Sequence, residues 1–132
     1  MDPSDVIAIQ QLYALYGHVF DDGQLDRLGE LFTDDVVFDA TADGVPLMHG
    51  IGAIVAAAQG YDRHPLAHHL TNVLLTAIDR DTATVRAKVL QTFDGGVAFS
   101  GVYDDTLTRT AGGWRISGHA YRSARPTVAA AG

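Results

Sequence analysis

The spacing of hydrophobic residues predicts three helices in the first half of the chain. After Asp2-Pro3, apolar side chains recur at steps of three and four: Ile9, Leu12, Tyr13, Tyr16, Val19 and Phe20. This stripe is typical of an amphipathic helix, and an aspartate followed by proline favours a helix start. A second helix is predicted over residues 25–32, antiparallel to the first and ending at Thr33-Asp34-Asp35, and a third from Gly50 to Gly60.

The second half of the chain has the pattern of strands joined by tight turns. Short strands are predicted over 36–41 and 47–49, and long strands over 68–78, 83–93, 97–109 and 114–124. Asp79-Arg80-Asp81, Asp94-Gly95-Gly96 and Ala111-Gly112-Gly113 are suitable hairpin turns between the long strands. Helices followed by an antiparallel meander indicate an α+β fold, in which helices cover one face of a curved sheet and a pocket lies on its concave side.

Length and charge narrow the classes of partner. With 132 residues, the chain is expected to form one domain over 1–126, followed by a frayed tail over 127–132. A net charge of −7 offers no basic surface to nucleic acid or to anionic lipid, and no apolar run is long enough to span a membrane. The acidic start is unlike a secretion signal, and the chain has no cysteine, so a cytoplasmic protein is expected.

Several short segments occur in an order that matches a known family. They are Tyr16 to Asp21, Asp22-Gly23, Leu31-Phe32-Thr33-Asp34-Asp35, His49-Gly50, His69-Leu70-Thr71-Asn72, Gly101-Val102-Tyr103-Asp104 and Gly113-Trp114-Arg115-Ile116. Together they resemble the SnoaL-like branch of the nuclear transport factor 2 superfamily over about residues 5–122. The resemblance implies a cone-shaped α+β barrel with a deep pocket and a homodimer paired through the sheet. It does not imply one reaction, because this fold supports several.

Tyr16, Asp21 and His69 are the leading catalytic candidates. They resemble the tyrosine, aspartate and histidine of scytalone dehydratase and the bile acid dehydratases, where the resemblance makes His69 a base, Asp21 its orienting partner and Tyr16 a donor to a carbonyl oxygen. Because side chains alternate along a strand, either His68 or His69 must face away from the pocket. His69 is preferred because it shares a face with Thr71 and Val73 and stands three positions before Asn72, as the family resemblance implies. The competing interpretations are a core tyrosine, an exposed turn aspartate and a core histidine.

Asp39 supports a second chemistry. With Tyr16, it resembles the proton-shuttling aspartate and oxyanion tyrosine of ketosteroid isomerase. The second oxyanion acid of that enzyme falls near Gly101, so this site is incomplete. Asp39 is equally compatible with a residue at a sheet edge.

Other side chains are assigned to the pocket or its surroundings. His64, His68 and His69 form a weak metal motif, because adjacent histidines on a strand point to opposite faces, so neither a metal nor another cofactor is expected. His119 is placed near a dimer surface or the pocket rim. For several of the candidate substrate contacts, a place in the core is the competing interpretation. The candidate substrate contacts are Phe20, Phe38, Met48, Val55, Tyr61, Val73, Val89, Tyr103 and Trp114.

These residues predict a cofactor-free acid/base enzyme that acts on an apolar, polyketide- or steroid-like carbonyl or hydroxyl compound, most simply by dehydration. Isomerisation or cyclisation is the nearest alternative reaction. A protein that only binds a small molecule is the alternative class, and one that assembles through its sheet is a third.

Overall fold

The first helix begins and ends close to its predicted limits. The computed structural model describes residues 2–124, so the predicted frayed tail lies outside the described residues. Helix α1 spans Pro3–Asp21, and the Asp2 side chain caps it by accepting a hydrogen bond from the backbone N–H of Ser4 at 2.9 Å. Its apolar stripe is buried, which places Tyr16 in the core.

The predicted second helix is wrong in type and in extent. Leu25–Glu30 form a short 3₁₀ helix, and strand β1 already begins at Phe32 and spans Phe32–Asp39. The change follows from sheet pairing, because the Leu31 carbonyl accepts a hydrogen bond from the Ile116 N–H and Phe32 pairs with Ile116. Backbone pairing therefore overrides an apolar spacing that would also suit a helix.

The remaining elements complete the sheet, which has six strands within residues 2–124. After β1, the chain forms β2 (Met48–His49) and helix α2 (Ile51–Gly60). The long strands are β3 (Ala67–Ile78), β4 (Thr82–Thr92), β5 (Ala98–Thr110) and β6 (Gly113–Ser123). All six lie in the order β2-β1-β6-β5-β4-β3.

One strand pair departs from the predicted antiparallel sheet. The neighbours along β3 to β6 are antiparallel, as expected for a meander, whereas β1 and β6 are parallel. A parallel pair requires a long crossover, and here α2 and the meander lie between the two strands in the sequence.

The core lies between α1 and the concave face of the sheet. Inward side chains of β4, among them Val85 and Val89, pack with the α1 stripe and with Leu107 and Ile116. The sheet is curved and unclosed, and this confirms the α+β class with N-terminal helices against it. Among the described residues, no helix is long and apolar enough to span a membrane.

Candidate active site

A cavity of about 630 Å³ opens between α1, α2 and the concave face of the sheet. Most of its wall is apolar and aromatic, with Phe20, Phe32 and Phe38 among the lining residues. The polar lining groups include Tyr16, Asp21, His68 and Tyr103, among others. A mostly apolar cavity with a few convergent polar groups is the usual form of a small-molecule site.

Asp21 and His68 form a hydrogen-bonded pair in the cavity wall. The Oδ1 atom of Asp21 lies 2.7 Å from Nδ1 of His68 and also accepts the His68 backbone N–H at 2.8 Å. An ionised carboxylate only accepts, so Nδ1 carries the hydrogen and the Nε2 lone pair of a neutral imidazole is left for another proton. The side chains are 14% exposed for His68 and 20% for Asp21, so the pair is sheltered but accessible.

The predicted pairing of Asp21 with His69 is wrong. In the β3–β4 register, His68 lies opposite Gln91, which lines the cavity, whereas His69 lies opposite the exposed Leu90. His69 is itself exposed and points to the outer face of the sheet. The two histidines do alternate as expected, but the inward one is His68.

A β-bulge in β3 explains why the sequence pattern favours the wrong histidine. The register of β3 shifts between Thr71 and Leu74, and Asn72 has a φ of 52°. Val73 therefore packs against the core although His69 and Thr71, two and four positions earlier, face outward. A bulge reverses the alternation of faces, so the inward position of Val73 carries no information about His69.

Close packing at Gly17 positions the pair. A Cβ atom at Gly17 would lie 2.6 Å from the backbone oxygen of His68, so only glycine allows α1 to approach β3 this closely. Asp21 follows one helical turn later and reaches the start of β3. The geometry of the Asp21–His68 pair therefore depends on the absence of a side chain at position 17.

A second cluster of polar side chains lies beneath the cavity. His119 Nδ1 is 2.7 Å from Asp105 Oδ1, and the Tyr13 hydroxyl donates to Asp105 Oδ2 at 2.5 Å. The Tyr16 hydroxyl lies 2.9 Å from His119 Nε2 and 3.2 Å from the Tyr103 hydroxyl. Sequence reasoning overlooked Asp105 and assigned His119 to a surface or rim. The available signal was the position of Asp105 between Tyr103 and Leu107 on the inward face of β5.

Burial holds the phenols of this cluster in their protonated form. Desolvation raises the pKa of Tyr16 and that of Tyr103 well above the ordinary tyrosine value. Burial also raises the pKa of Tyr13, and the charge of Asp105 raises it further. Tyr16 and Tyr103 therefore bring hydroxyl groups, not phenolates, to the cavity.

Residues 3–119 match the family model described as a SnoaL-like domain. The chain belongs to this family. An uncharacterised protein of Mycobacterium tuberculosis is 32% identical over 124 residues, covering 86% of this chain and 81% of the relative. The family resemblance inferred from the short segments is therefore confirmed.

Several solved structures have a fold similar to that of this chain. A candidate aromatic ring hydroxylase of Novosphingobium aromaticivorans is 29% identical, with a TM-score of 0.81 and coverage of 96% of this chain and 93% of that one. A candidate scytalone dehydratase of the same organism is 21% identical, with a TM-score of 0.77 and coverage of 92% and 85%. A hexachlorocyclohexane dehydrochlorinase is 20% identical, with a TM-score of 0.75 and coverage of 98% and 94%. At these last two identities, the similarity shows the fold alone.

Asp39 lies outside the cavity lining of this SnoaL-like domain. Its Oδ1 accepts hydrogen bonds from the Thr41 hydroxyl at 2.6 Å and from the Thr41 N–H at 3.0 Å. These bonds lower the pKa of Asp39, which makes it a weaker base. At the position of the missing second acid, a side chain on Gly101 would overlap the ring of Tyr121. The isomerase-like arrangement of Asp39 with Tyr16 is therefore not assembled.

The predicted substrate contacts divide into two groups. Five line the cavity: Phe20, Phe38, Met48, Tyr61 and Tyr103. Four do not, because their side chains pack elsewhere: Val55, Val73, Val89 and Trp114. The Trp114 indole N–H, for example, donates to Asp5 at 3.1 Å near the start of α1.

The histidines in the loop and strand before the bulge do not converge. Within residues 2–124, no group of three or more His, Cys, Asp or Glu side chains could hold a metal ion. His64 and His68 line the cavity, but His69 faces the other side of the sheet. The expectation of a reaction without a metal or another cofactor stays a prediction.

Proposed function

We propose that this SnoaL-like protein is a cofactor-free acid/base enzyme that dehydrates an apolar carbonyl compound bearing a hydroxyl group. The observation that carries the proposal is the Asp21–His68 pair, whose free imidazole nitrogen belongs to the wall of an apolar cavity. A histidine held in one tautomer by a carboxylate is a suitable general base near neutral pH. His68 takes the role first assigned to His69.

The reaction begins with removal of a proton next to the substrate carbonyl. His68 Nε2 takes this proton, and Asp21 stabilises the resulting imidazolium through its Nδ1 hydrogen bond. The electron pair of the broken C–H bond moves towards the carbonyl oxygen, where a hydroxyl of the Tyr16–Tyr103 pair donates to it. Expulsion of the neighbouring hydroxyl group, protonated by the imidazolium, gives water and a carbon–carbon double bond.

The volume and the lining of the cavity suit a ring-containing apolar substrate. Its volume of about 630 Å³ lies within the usual range for small-molecule sites, about 300–1,000 Å³. Phe20, Phe32 and Phe38 offer aromatic faces to such a ligand. A polyketide- or steroid-like compound fits these features. The names of two similar structures, a candidate dehydratase and a dehydrochlorinase, also describe eliminations.

The decisive experiment compares His68→Gln with His69→Gln. Wild-type protein is screened against apolar β-hydroxy ketones, and loss of water is followed by the absorbance of the conjugated product. For a compound that is turned over, His68→Gln should lower kcat by about 10²–10⁴-fold. His69→Gln is the matched control and should keep wild-type activity, because His69 faces the outer surface.

The outcomes also separate the alternative functions. Undiminished turnover by His68→Gln would overturn the catalytic assignment. Tight binding of the same compounds without turnover by the wild type would favour the non-catalytic binding protein. A product with a shifted double bond and no loss of water would indicate isomerisation by the same base.

We also infer that the protein forms a homodimer through the outer face of its sheet. Leu74 on β3 and Leu90 on β4 both point outward and are 59% and 38% exposed. Exposed apolar side chains on a sheet face favour pairing with a second copy. Light scattering should give a dimer for the wild type and a monomer for Leu74→Glu/Leu90→Glu. A monomeric wild type would contradict this inference without affecting the catalytic one.

A further inference from the structure

The proposed elimination leaves the pair of Asp105 and His119 without a role. Both side chains are fully buried, at 0% exposure. Aspartate is rarely buried completely unless it has partners, and here the Tyr13 hydroxyl and His119 Nδ1 both bond to the carboxylate. Two hydrogen-bond partners are enough to stabilise a buried carboxylate, so burial alone does not indicate a function. Any function of the Asp105–His119 pair must act through its connection to the cavity.

That connection runs through two phenols. His119 Nε2 lies 2.9 Å from the Tyr16 hydroxyl oxygen, which lies 3.2 Å from the Tyr103 hydroxyl. Both tyrosines line the cavity. An unbroken chain of hydrogen bonds therefore joins the buried Asp105 carboxylate to the cavity floor, which we define as the hydroxyl groups of Tyr16 and Tyr103.

The protonation state of His119 sets the direction of this chain. Ionised Asp105 only accepts, so His119 Nδ1 carries a hydrogen. In the neutral imidazole, Nε2 accepts and Tyr16 donates inward, so Tyr103 holds the one hydroxyl hydrogen that can turn from its bond with Tyr16 to a ligand. In the imidazolium, Nε2 donates to Tyr16, whose own hydrogen is then free for the cavity. One proton on His119 thus converts the floor from a donor and an acceptor into two donors.

We propose that the cavity floor binds a phenolate- or enolate-type oxyanion and that His119 gains a proton when this ligand binds. Two phenol donors directed at one oxygen form a suitable oxyanion site. The imidazolium behind them supplies the positive charge that such a ligand needs in an apolar cavity.

The charged side chains of the described lining place no cation at the cavity floor, so positive charge there would have to come from His119. The lining includes two carboxylates, Asp21 and Asp43, and among the described lining residues Arg63 is the one guanidinium. Arg63 is exposed, and it donates to the Asp94 carbonyl at 2.8 Å. An oxyanion at the floor therefore has no guanidinium directed at it from this wall.

The immediate surroundings of His119 come from three elements. From α1, Tyr16 bonds to Nε2, and from β5, Asp105 bonds to Nδ1 while the Tyr103 ring lies 4.2 Å away between centroids. From β1, the rings of Phe32 and Phe38 pack against it, at 5.6 Å and 5.1 Å between centroids. Of these groups only the ionised Asp105 carboxylate carries a charge, and it lies 2.7 Å from Nδ1, where it would pair with an imidazolium.

The proton movements balance for either form of the ligand. When a phenol binds, its O–H bond breaks and the proton passes to the Tyr16 oxygen, while the proton of Tyr16 passes to His119 Nε2. When a phenolate binds, the same state is reached by taking one proton from solvent. The biological role of this site rests on the proposed function, since proton removal by His68 creates an enolate. The binding of a phenolate does not depend on it.

The test uses 4-nitrophenol at a pH where the free ligand is the phenolate. Its absorption spectrum reports whether the bound ligand is still the anion. Titration calorimetry in buffers of different ionisation enthalpy counts the protons taken up. We expect a bound phenolate and uptake of about one proton per ligand by the wild type.

Matched variants identify the group that takes the proton. His119→Gln should bring the uptake close to zero, because a glutamine amide can bond to both Tyr16 and Asp105 but does not titrate. His64→Gln and His68→Gln alter the two histidines that line the cavity and should keep the uptake. Independently of any variant, imidazole ¹⁵N shifts of the wild type should show both His119 nitrogens protonated only in the complex.

Several results would overturn the inference. Failure of the ligand to bind, or its binding as the neutral phenol, would contradict an oxyanion site. Proton uptake that persists in His119→Gln, or that disappears in His68→Gln, would mean that His119 is not the group that takes the proton. The same conclusion would follow if the ligand left the ¹⁵N shifts of His119 unchanged. If His119→Gln does not fold, the wild-type ¹⁵N shifts decide. Proton uptake through His119 without turnover of any hydroxy ketone would count against the proposed function alone.

Discussion

The two carboxylate–imidazole pairs of this protein have the same bond length and opposite surroundings. Asp21–His68 and Asp105–His119 are each joined by a 2.7 Å contact between Oδ1 and Nδ1. The first pair is partly exposed in the cavity wall, whereas the second is fully buried and separated from the cavity by Tyr16. Access, rather than pairing, therefore determines what such a histidine can do. His68 can exchange a proton with a ligand directly, and His119 only through a phenol.

The largest difference between the pairs should appear in stability. Asp105→Ala leaves His119 and Tyr13 without a buried partner and should lower the free energy of unfolding by about 3–5 kcal/mol. Asp21→Ala removes a partly hydrated partner and should cost about 1 kcal/mol. Urea denaturation of both variants measures the contrast. Equal losses would mean that burial does not distinguish the two pairs.

The second largest effect is expected at alkaline pH, where the tyrosines around the buried pair should make the free energy of unfolding fall. Tyr13, Tyr16 and Tyr103 have raised pKa values in the folded protein, so the unfolded chain releases their protons first. Stability is therefore complete below the unfolded value of about 10 and falls above it, by about 1.4 kcal/mol per pH unit for each phenol.

Urea denaturation at increasing pH measures this slope, with tyrosinate absorbance recorded in parallel. Tyr103→Phe should reduce the slope, since it removes one of the three phenols. Tyrosinate formation by these residues before unfolding would contradict the prediction.

Gly17→Ala should disturb the accessible pair, Asp21–His68, and leave the buried pair in place. Its methyl group would meet the His68 backbone oxygen, so α1 must move away from β3, at a cost of about 1–3 kcal/mol. Turnover should also fall, because Asp21 moves with the helix. Gly29→Ala is the control, since nothing lies within 4 Å of a side chain there. A Gly17→Ala protein with wild-type stability and activity would show that the close approach is not required.

The smallest effect is expected at a carboxylate that belongs to neither pair. Asp39→Ala should change stability by no more than about 0.5 kcal/mol and leave turnover unchanged, because Asp39 bonds to Thr41 outside the cavity lining. Urea denaturation and turnover, measured on the same preparation of the variant, test both expectations. A large loss of activity would restore the isomerase-like hypothesis.

Much of the architecture was predictable because it depends on local periodicity. The spacing in α1 and the alternation in the four long strands produced element limits within a few residues of those observed. The prediction failed at Phe32, where a spacing compatible with a helix meets the edge of a strand. Local apolar spacing does not distinguish the two when a short segment is buried on one side.

The candidate site was predictable only in part. Tyr16 and Asp21 were identified through the family resemblance, and both line the cavity. The prediction of His69 as the partner of Asp21 was wrong because the bulge at Asn72 reverses the faces of β3. Asp105 and His119 are 14 positions apart, and only the β5–β6 register makes them partners.

Periodic patterns and short motifs were enough to predict the family, the α+β class and most of the elements that surround the cavity, but not the type of the segment over residues 25–32. Only the tertiary structure decided which histidine faces Asp21, that β1 runs parallel to β6, and that a second pair lies beneath Tyr16. These features depend on strand register, and register is set by contacts between segments far apart in the chain. The two acid/base pairs were therefore present in the sequence as residues, and the packing of α1 against the sheet made them different.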